Sequence, residues 1–235
     1  MTIAEQVTRL KTDLDEVKAS GIDDGRKAEY DAFWDTYQQN GNRKTYEGAF
    51  YGWSIESFKP KYHIKPNGST SNSFRSFYAP GIDLGEFLEG IGVDFDTSEC
   101  KTCSYDFYQA KCKGTPLLDV SNVSNFNNTF TVCTAEIIRL KVSESTPYTN
   151  VFNNCTSLVE LYITGTIGKS GLNFQWSTML SKDSITRIIN ALSTNTSGLS
   201  ITLSRAAVES AFGSTTADEW TALIATRTNW TITLV

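Results

Sequence analysis

Few residues in this sequence are suited to catalytic chemistry. The single histidine, His63, lies between Tyr62 and Ile64 in an aromatic-rich stretch, and a Cys-His pair or a Ser-His-Asp triad would require it. No Gly-x-Ser-x-Gly motif surrounds a serine, and no phosphate-binding glycine loop occurs. A lone histidine in such a setting is more often a packed or surface residue. The sequence therefore predicts a protein that is not an enzyme and has no catalytic residues.

Two further patterns are partly like metal sites. Cys100-x-x-Cys103, with Cys112 nearby, has zinc-like spacing but lacks an evident fourth ligand. The acidic run 94–99 suggests calcium, but it has neither the glycine nor the final glutamate that an EF-hand loop requires. We predict no metal and no cofactor, with the acidic run as a solvated face. The odd number of cysteines indicates reduced thiols, and the repeated ones are expected to be small buried residues.

A repeat is visible in the middle of the chain. Cys112, Cys133 and Cys155 are 21 and 22 residues apart, and the last two each follow aromatic residues at seven and three positions before them. Each unit ends in an apolar-x-apolar triplet, as short strands do. A period of about 20–29 residues with one strand per unit is typical of leucine-rich repeats. The sequence thus predicts a solenoid with short parallel strands over residues 83–175.

The middle residue of each triplet is expected to point away from the core. These residues would form a row on the strand face, a surface on which solenoids commonly bind partners. The alternative is that any half-exposed strand carries polar residues at such positions. The candidate ligand-binding residues are Asp94, Asp119, Lys141, Tyr162, Asn173 and Ser200.

Residues 1–20 predict an amphipathic helix. Thr2 and Glu5 form a capping box, and apolar residues follow with heptad spacing. A short coiled coil that joins subunits is favoured over a helix that packs on the protein's own core. The predicted oligomerisation residues are Ile3, Val7, Leu10, Leu14 and Val17.

The remaining regions predict caps on the repeat, and the fold class is α+β. Residues 21–82 form a helical, aromatic-rich N-terminal cap with a helix at about 24–39, although an exposed aromatic binding surface is the alternative. A further helix begins at Asp83. Residues 176–235 predict an α/β C-terminal cap with a helix at about 181–193, another after Ser204, and a third opened by a Thr216-x-x-Glu219 capping box.

Composition excludes several classes of partner. The net charge of −5 argues against a nucleic-acid surface, which needs clustered lysine and arginine. No run of eighteen apolar residues is present, so no membrane insertion is expected. The N-terminus has neither a positive leader nor an apolar segment, which predicts synthesis in a cytoplasm without a signal peptide.

The segment Phe152–Ile163, with its Phe-x-x-Cys-Thr-Ser-Leu start and Leu-x-Ile end, resembles BspA-like leucine-rich repeats. Together with the helix around Ala28–Trp34 and the closing Trp230–Ile232 strand, the chain is similar to phage and prophage structural proteins. The resemblance implies a tail or baseplate fibre that recognises a host surface glycan or protein. It also implies a homo-oligomer, expected to be a trimer, that contacts other virion proteins through its N-terminal region. A head, neck or collar fibre, or a bacterial BspA-like interaction or adhesion module, is the alternative.

Overall fold

The computed structural model describes residues 46–60 and 63–235. Within these residues the protein is mixed α+β, with seven strands and four helices, and the strands of both sheets pair in parallel. The predicted helix at 24–39 and the predicted oligomerising helix lie outside the described residues. The predicted oligomerisation residues Ile3, Val7, Leu10, Leu14 and Val17 therefore also lie outside them.

The first sheet has four strands in the order in which they follow along the chain. Its elements are β1 (Tyr78–Asp83), α1 (Leu84–Gly90), β2 (Lys111–Asp119), β3 (Ile137–Val142) and β4 (Glu160–Gly165). Leu140 of β3 lies opposite Ile163 of β4, and both are buried. Because successive residues of a strand point to opposite faces, this register puts one face of β3 and β4 on the core.

The second sheet has three strands, also in chain order, with helices between them. Its elements are β5 (Asn173–Phe174), α2 (Lys182–Ala191), β6 (Leu199–Leu203), α3 (Arg205–Phe212), α4 (Asp218–Ala225) and β7 (Trp230–Leu234). No helix in residues 46–60 and 63–235 has the length and apolarity needed to cross a membrane.

Most of the predicted strands are confirmed. The triplets that close the repeat units fall in β2, β3 and β4, and the later ones coincide with β5, β6 and β7. The triplet at Val93–Phe95 does not form a strand, because only Phe95 pairs, in an isolated bridge to Ile64. The reason is that a strand needs a partner along its length, and this segment meets its neighbour at one residue.

At the helix N-termini, side chains accept hydrogen bonds from backbone N–H groups that have no carbonyl acceptor within the helix. The Asp83 carboxylate accepts the N–H of Gly85 at 3.0 Å, and Ser181 Oγ accepts the N–H of Ser184 at 3.1 Å. These contacts confirm helices that begin after Asp83 and at about residue 181. The Thr216 capping box is wrong: α4 begins after Ala217, and Thr216 Oγ1 pairs with Ser214 Oγ instead.

Five turns of six residues stack on one another. They comprise residues 47–52, 71–76, 104–109, 127–132 and 149–154. The backbone N–H groups of one turn donate to carbonyls of the next, as Phe107 does to Thr129 at 2.8 Å and Phe130 to Val151 at 3.0 Å. Other N–H groups bond within their own turn, as Tyr108 does to the Tyr105 carbonyl at 3.3 Å, so a neighbouring turn is needed to satisfy only part of the backbone.

A phenylalanine occupies the fourth position of every turn. These rings, with that of Phe174 in β5, form a column that we call the aromatic ladder: Phe50, Phe74, Phe107, Phe130, Phe152 and Phe174. Successive ring centroids lie 4.6–5.8 Å apart, the range of favourable aromatic contacts. All six side chains are buried. Phe50 and Phe74 fall in the aromatic-rich stretch, so the rings there extend the core, although Tyr51 and Tyr78 are exposed.

The second and sixth residues of each turn adopt positive φ. Most are glycine, asparagine or serine, which tolerate this conformation, for example Asn128 and Asn150. Three side chains do not fit that pattern: Tyr105 and Gln109 both have φ of 58°, and Val132 has φ of 59°. A β-branched residue in the left-handed region is strained, so Val132 destabilises the turn that it belongs to.

The five cysteines are free and buried. The sequence predicts reduced thiols, and it predicts burial for the three repeated ones, Cys112, Cys133 and Cys155. Cys133 and Cys155 each stand three residues after a ladder phenylalanine. In the turn of Phe107 the equivalent residue is Ala110, and Cys112 lies two residues further on in β2. The two earlier turns have large rings at this position, Trp53 after Phe50 and Phe77 after Phe74, so only the later turns have a small apolar side chain there.

Asp106 is a buried carboxylate next to the ladder, directly before Phe107. Its Oδ1 accepts the N–H of Ser73 at 3.2 Å, and its Oδ2 accepts the hydroxyl of Thr70. Burial raises the pKa of Asp106 well above its usual range, against the opposing effect of these two hydrogen bonds. The carboxyl group of Asp106 thus links its own turn to the turn of Ser73, and its burial there disfavours the ionised form.

Replacing the central ring of the ladder tests its contribution to stability. Phe130→Ala removes contacts with Phe107 and Phe152 and leaves a cavity, so we expect a loss of about 3–5 kcal/mol in the free energy of unfolding. Urea denaturation measures it. Val132→Asn, in the same turn, is the control and is expected to preserve or raise stability. An equal loss in both variants would contradict the ladder's role.

Stability should depend on pH through Asp106. Folding raises the pKa of Asp106. Its contribution to the free energy of unfolding is therefore complete below about pH 3.9, the ordinary aspartate pKa, and is lost as pH rises through its pKa in the folded protein. The stability of Asp106→Asn relative to the wild type should therefore increase with rising pH, by up to about 1.4 kcal/mol in the free energy of unfolding per pH unit. Urea midpoints measured between acid and mildly alkaline pH give the comparison.

Asp119→Asn is the matched control with the opposite sign. Burial opposes ionisation of Asp119, but hydrogen bonds from Lys141 and Ser121 outweigh it and lower its pKa. The contribution of Asp119 to the free energy of unfolding is present above the ordinary aspartate pKa. It is lost as pH falls through the pKa of Asp119 in the folded protein. Asp119→Asn should thus be less stable than the wild type at neutral pH, and the difference in stability should become smaller in acid. Parallel profiles for the two variants would rule out this assignment.

Candidate ligand-binding face

Strand alternation places three side chains in one row on the outer face of the first sheet. Leu117 of β2 lies opposite Arg139 of β3, which lies opposite Tyr162 of β4. Leu117 is 49% exposed and Tyr162 is 44% exposed, whereas their neighbours Leu118 and Leu161 are buried. We call Leu117, Arg139 and Tyr162 the outer strip.

Arg139 is held in a fixed position by Asp83. Its Nη1 and Nη2 donate to the two carboxylate oxygens at 3.0 and 2.8 Å, and Nη1 also donates to the Thr115 carbonyl at 2.6 Å. The Asp83 side chain is only 3% exposed, and the same carboxylate caps α1. A two-point contact between guanidinium and carboxylate is geometrically specific, so the arginine is pre-organised before any ligand arrives.

Gly114 makes room for this carboxylate. A Cβ at Gly114 would meet Oδ2 of Asp83 at 2.2 Å, and the three atoms nearest to it all belong to the Asp83 side chain. The absence of a side chain on β2 therefore lets Asp83 lie over the strand and reach Arg139 on β3.

Two guanidinium groups lie near the ring of Tyr162. The Arg187 guanidinium lies 4.5 Å from the ring centroid and that of Arg139 lies 6.0 Å from it, distances typical of cation–π contacts. Arg187 is in turn paired with Glu160 at 3.1 Å. Burial would raise the pKa of Glu160, but hydrogen bonds from Ser181, Arg187 and Ser184 together lower it. The tyrosine ring is consequently exposed but fixed in orientation.

A second ion pair lies beside the outer strip. Lys141 Nζ lies 2.8 Å from Asp119 Oδ2, and these residues are opposite each other on β3 and β2. The hydrogen bond that Lys141 donates to Asp119 also raises the pKa of Lys141. Both members are two residues beyond the outer strip in their strands, and so they lie on the same face.

The six predicted ligand-binding residues do not form one continuous row. Asp119, Lys141 and Tyr162 share the outer face of the first sheet. Asp94 is outside both sheets, and its carboxylate lies 3.4 Å from His63 and 3.3 Å from Lys65.

Asn173 and Ser200 belong to the second sheet. Asn173 lies opposite Thr202 and not Ser200, and its side chain accepts the N–H of Gln175 at 2.9 Å. The predicted single row is thus divided among three places in the fold. The binding role of these residues stays a prediction.

Three residues of this face were missed from sequence: Leu117, Arg139 and Arg187. A signal existed for the first two, since they stand two residues before Asp119 and Lys141 and strands alternate with a period of two. Arg187 reaches the face from α2, and strand periodicity contains no information about it.

Other candidate chemistry lies apart from this face. His63 Nδ1 accepts the N–H of Asp94 at 3.0 Å, and the imidazole is 55% exposed. Among the residues that the structure describes, no three or more His, Cys, Asp or Glu side chains are arranged to hold a metal ion. The outer strip instead offers an exposed ring and an apolar side chain. Such a surface suits stacking against a sugar ring or a peptide side chain.

A double-mutant cycle tests the placement of Asp83 over Gly114. Gly114→Ala should displace the carboxylate from Arg139 and lower the free energy of unfolding by about 1–3 kcal/mol. In an Asp83→Ala background no carboxylate is present for the new methyl group to meet. The second loss should then be much smaller, so the two changes are not additive. Equal losses in both backgrounds, measured by urea denaturation, would show that Gly114 serves another purpose.

Comparisons of the chain with protein-family models, curated proteins and solved structures found no match.

Proposed function

We propose that this chain is a non-enzymatic structural protein of a phage virion, a tail or baseplate fibre that binds the host cell surface. The proposal combines the resemblance of the sequence to phage structural proteins with the geometry of the outer strip. The ligand is a host surface glycan or protein, and the virion is where the protein acts.

In this proposal the turns at 104–109, 127–132 and 149–154 and the strands β2 to β4 belong to a leucine-rich-repeat-like solenoid over residues 83–175. The regular spacing of Phe107, Phe130 and Phe152, together with the parallel strands β2 to β4, supports it. Residues 176–235, with α2 to α4, would close one end. A repeat of this kind provides an extended surface for partners.

The observation that carries the proposal is the exposed but fixed ring of Tyr162. Both neighbouring guanidinium groups are paired with carboxylates, Arg139 with Asp83 and Arg187 with Glu160. Their charges are therefore largely satisfied within the protein, and they orient the ring. A rigid aromatic side chain loses little conformational entropy on binding, which is why tyrosine is enriched at binding hot spots.

The N-terminal region supplies the assembly part of the proposal. Residues 1–20 would form a coiled coil that joins copies of the chain, expected to be three, and would lead to contacts with other virion proteins. A head, neck or collar fibre, or a bacterial BspA-like interaction or adhesion module, has the same features in its sequence and is the second candidate. Terminase, portal and tail genes beside this gene would favour the virion.

Cell binding tests the proposal directly. Fluorescently labelled full-length protein is incubated with a panel of intact bacterial cells from different species, and binding is measured by flow cytometry. Tyr162→Ala should weaken binding to the recognised cells by about tenfold or more, because it removes the fixed ring at the centre of the face. Tyr78→Ala is the matched control: Tyr78 is 52% exposed on β1 and has a lysine over its ring.

Deleting residues 1–20 separates assembly from recognition. Light scattering should show an oligomer for the full chain and a monomer after the deletion, and cell binding should weaken through lost avidity. Equal loss for Tyr162→Ala and Tyr78→Ala, or no binding to any cell in the panel, would contradict recognition by the outer strip. A monomeric full-length protein would contradict the fibre and favour the stand-alone module.

A further inference from the structure

A cluster of aromatic rings surrounds one arginine on the surface of the stacked turns. The guanidinium carbon of Arg75 lies 4.9 Å from the ring centroid of Tyr108 and 5.7 Å from those of Tyr51 and Tyr105. These residues come from three successive turns, since Tyr51 precedes Arg75 by one turn and Tyr105 and Tyr108 follow it by one. We call these four residues the tyrosine–arginine cluster.

Arg75 differs electrostatically from the arginines of the outer strip. Arg139 and Arg187 are paired with carboxylates, whereas no carboxylate lies within 4.0 Å of Arg75 among residues 46–60 and 63–235. Its Nη1 donates to Asn72 Oδ1 at 3.2 Å, and its Nε is buried without an acceptor. Because Nε is buried, an acceptor on a ligand would have to meet the Nη groups of Arg75 instead.

The backbone of the cluster is strained where an aromatic side chain enters it. Tyr105 has φ of 58°, at a position that other turns fill with Gly48, Asn72, Asn128 and Asn150. Glycine and asparagine adopt this conformation readily, and tyrosine does so at an energetic cost. The turn itself gives no reason for a tyrosine here, but the ring contact with Arg75 does. Strain of this kind is concentrated at binding sites.

We propose that the tyrosine–arginine cluster binds an acidic saccharide, with the carboxylate on Arg75 and the sugar ring against Tyr51. The planar fork of a guanidinium matches a carboxylate, and the ring of Tyr51, 54% exposed, offers an aromatic surface for the sugar. The chain has 26 acidic and 21 basic residues, so its overall charge does not attract anions and the contact must be local. This inference rests on the proposed recognition of surface glycans, but it assigns them to a site other than the outer strip.

Binding of immobilised polysaccharides to the full-length protein tests the inference. The carboxylate polymers are polygalacturonate, hyaluronan and polysialic acid. Neutral dextran and poly(glycerol phosphate) serve as comparisons. At least one carboxylate polymer should bind, and dextran should not. Arg75→Gln and Tyr51→Ala should each weaken that binding at least tenfold, with unchanged circular dichroism and thermal melting.

Two further variants make the result specific. Arg205→Gln changes the net charge equally at an exposed position on α3 and should leave binding within twofold. Tyr162→Ala should also leave polysaccharide binding unchanged. Failure of the outer strip in cell binding is thereby distinguished from failure of the cluster.

The inference is overturned by any of four results. None of the carboxylate polymers binds; Arg75→Gln and Arg205→Gln weaken binding equally, which indicates a general effect of charge; only poly(glycerol phosphate) binds; or Tyr162→Ala abolishes polysaccharide binding while Arg75→Gln retains it.

Discussion

A phenylalanine ring has two faces, and the inner rings of the aromatic ladder have a neighbouring ring on each side. Phe130, for example, stacks on Phe107 and on Phe152. A single turn could bury neither its ring nor the carbonyls that accept hydrogen bonds from the adjacent turn. Stacking therefore requires several units together, and it aligns the strands that follow each turn into one sheet. The positions of β2, β3 and β4, and with them the outer strip, depend on this contact.

Sequence predicted those parts of the architecture that repeat at short range. The spacing of aromatic residues before Cys133 and Cys155 and the apolar triplets indicated β3 and β4, and Ser181 correctly marked the start of α2. Phe50 and Phe74 were not recognised as members of the same column. The reason is that β1 and α1 lie between Phe74 and Phe107, so that the spacing there is 33 residues and no longer periodic.

Only part of the candidate site could be predicted, because sequence periodicity shows only short-range order. Alternation along the strands placed Asp119, Lys141 and Tyr162 on one face, since that periodicity is local. The pairing of Arg139 with Asp83 joins residues 56 positions apart and depends on the absence of a side chain at Gly114. Such a contact arises only once the turns have stacked, and no spacing in the sequence encodes it.

The two proposed binding surfaces would differ in what they recognise, because their arginines differ in what they contact. On the outer strip the guanidinium charges are matched by Asp83 and Glu160, so a ligand gains mainly by stacking on Tyr162 and by fitting its shape. In the tyrosine–arginine cluster the rings orient Arg75 without neutralising it. A ligand there can gain from charge as well as from aromatic contact. Binding at the cluster should accordingly weaken with added salt, whereas binding at the strip should change little, because screening acts on uncompensated charge.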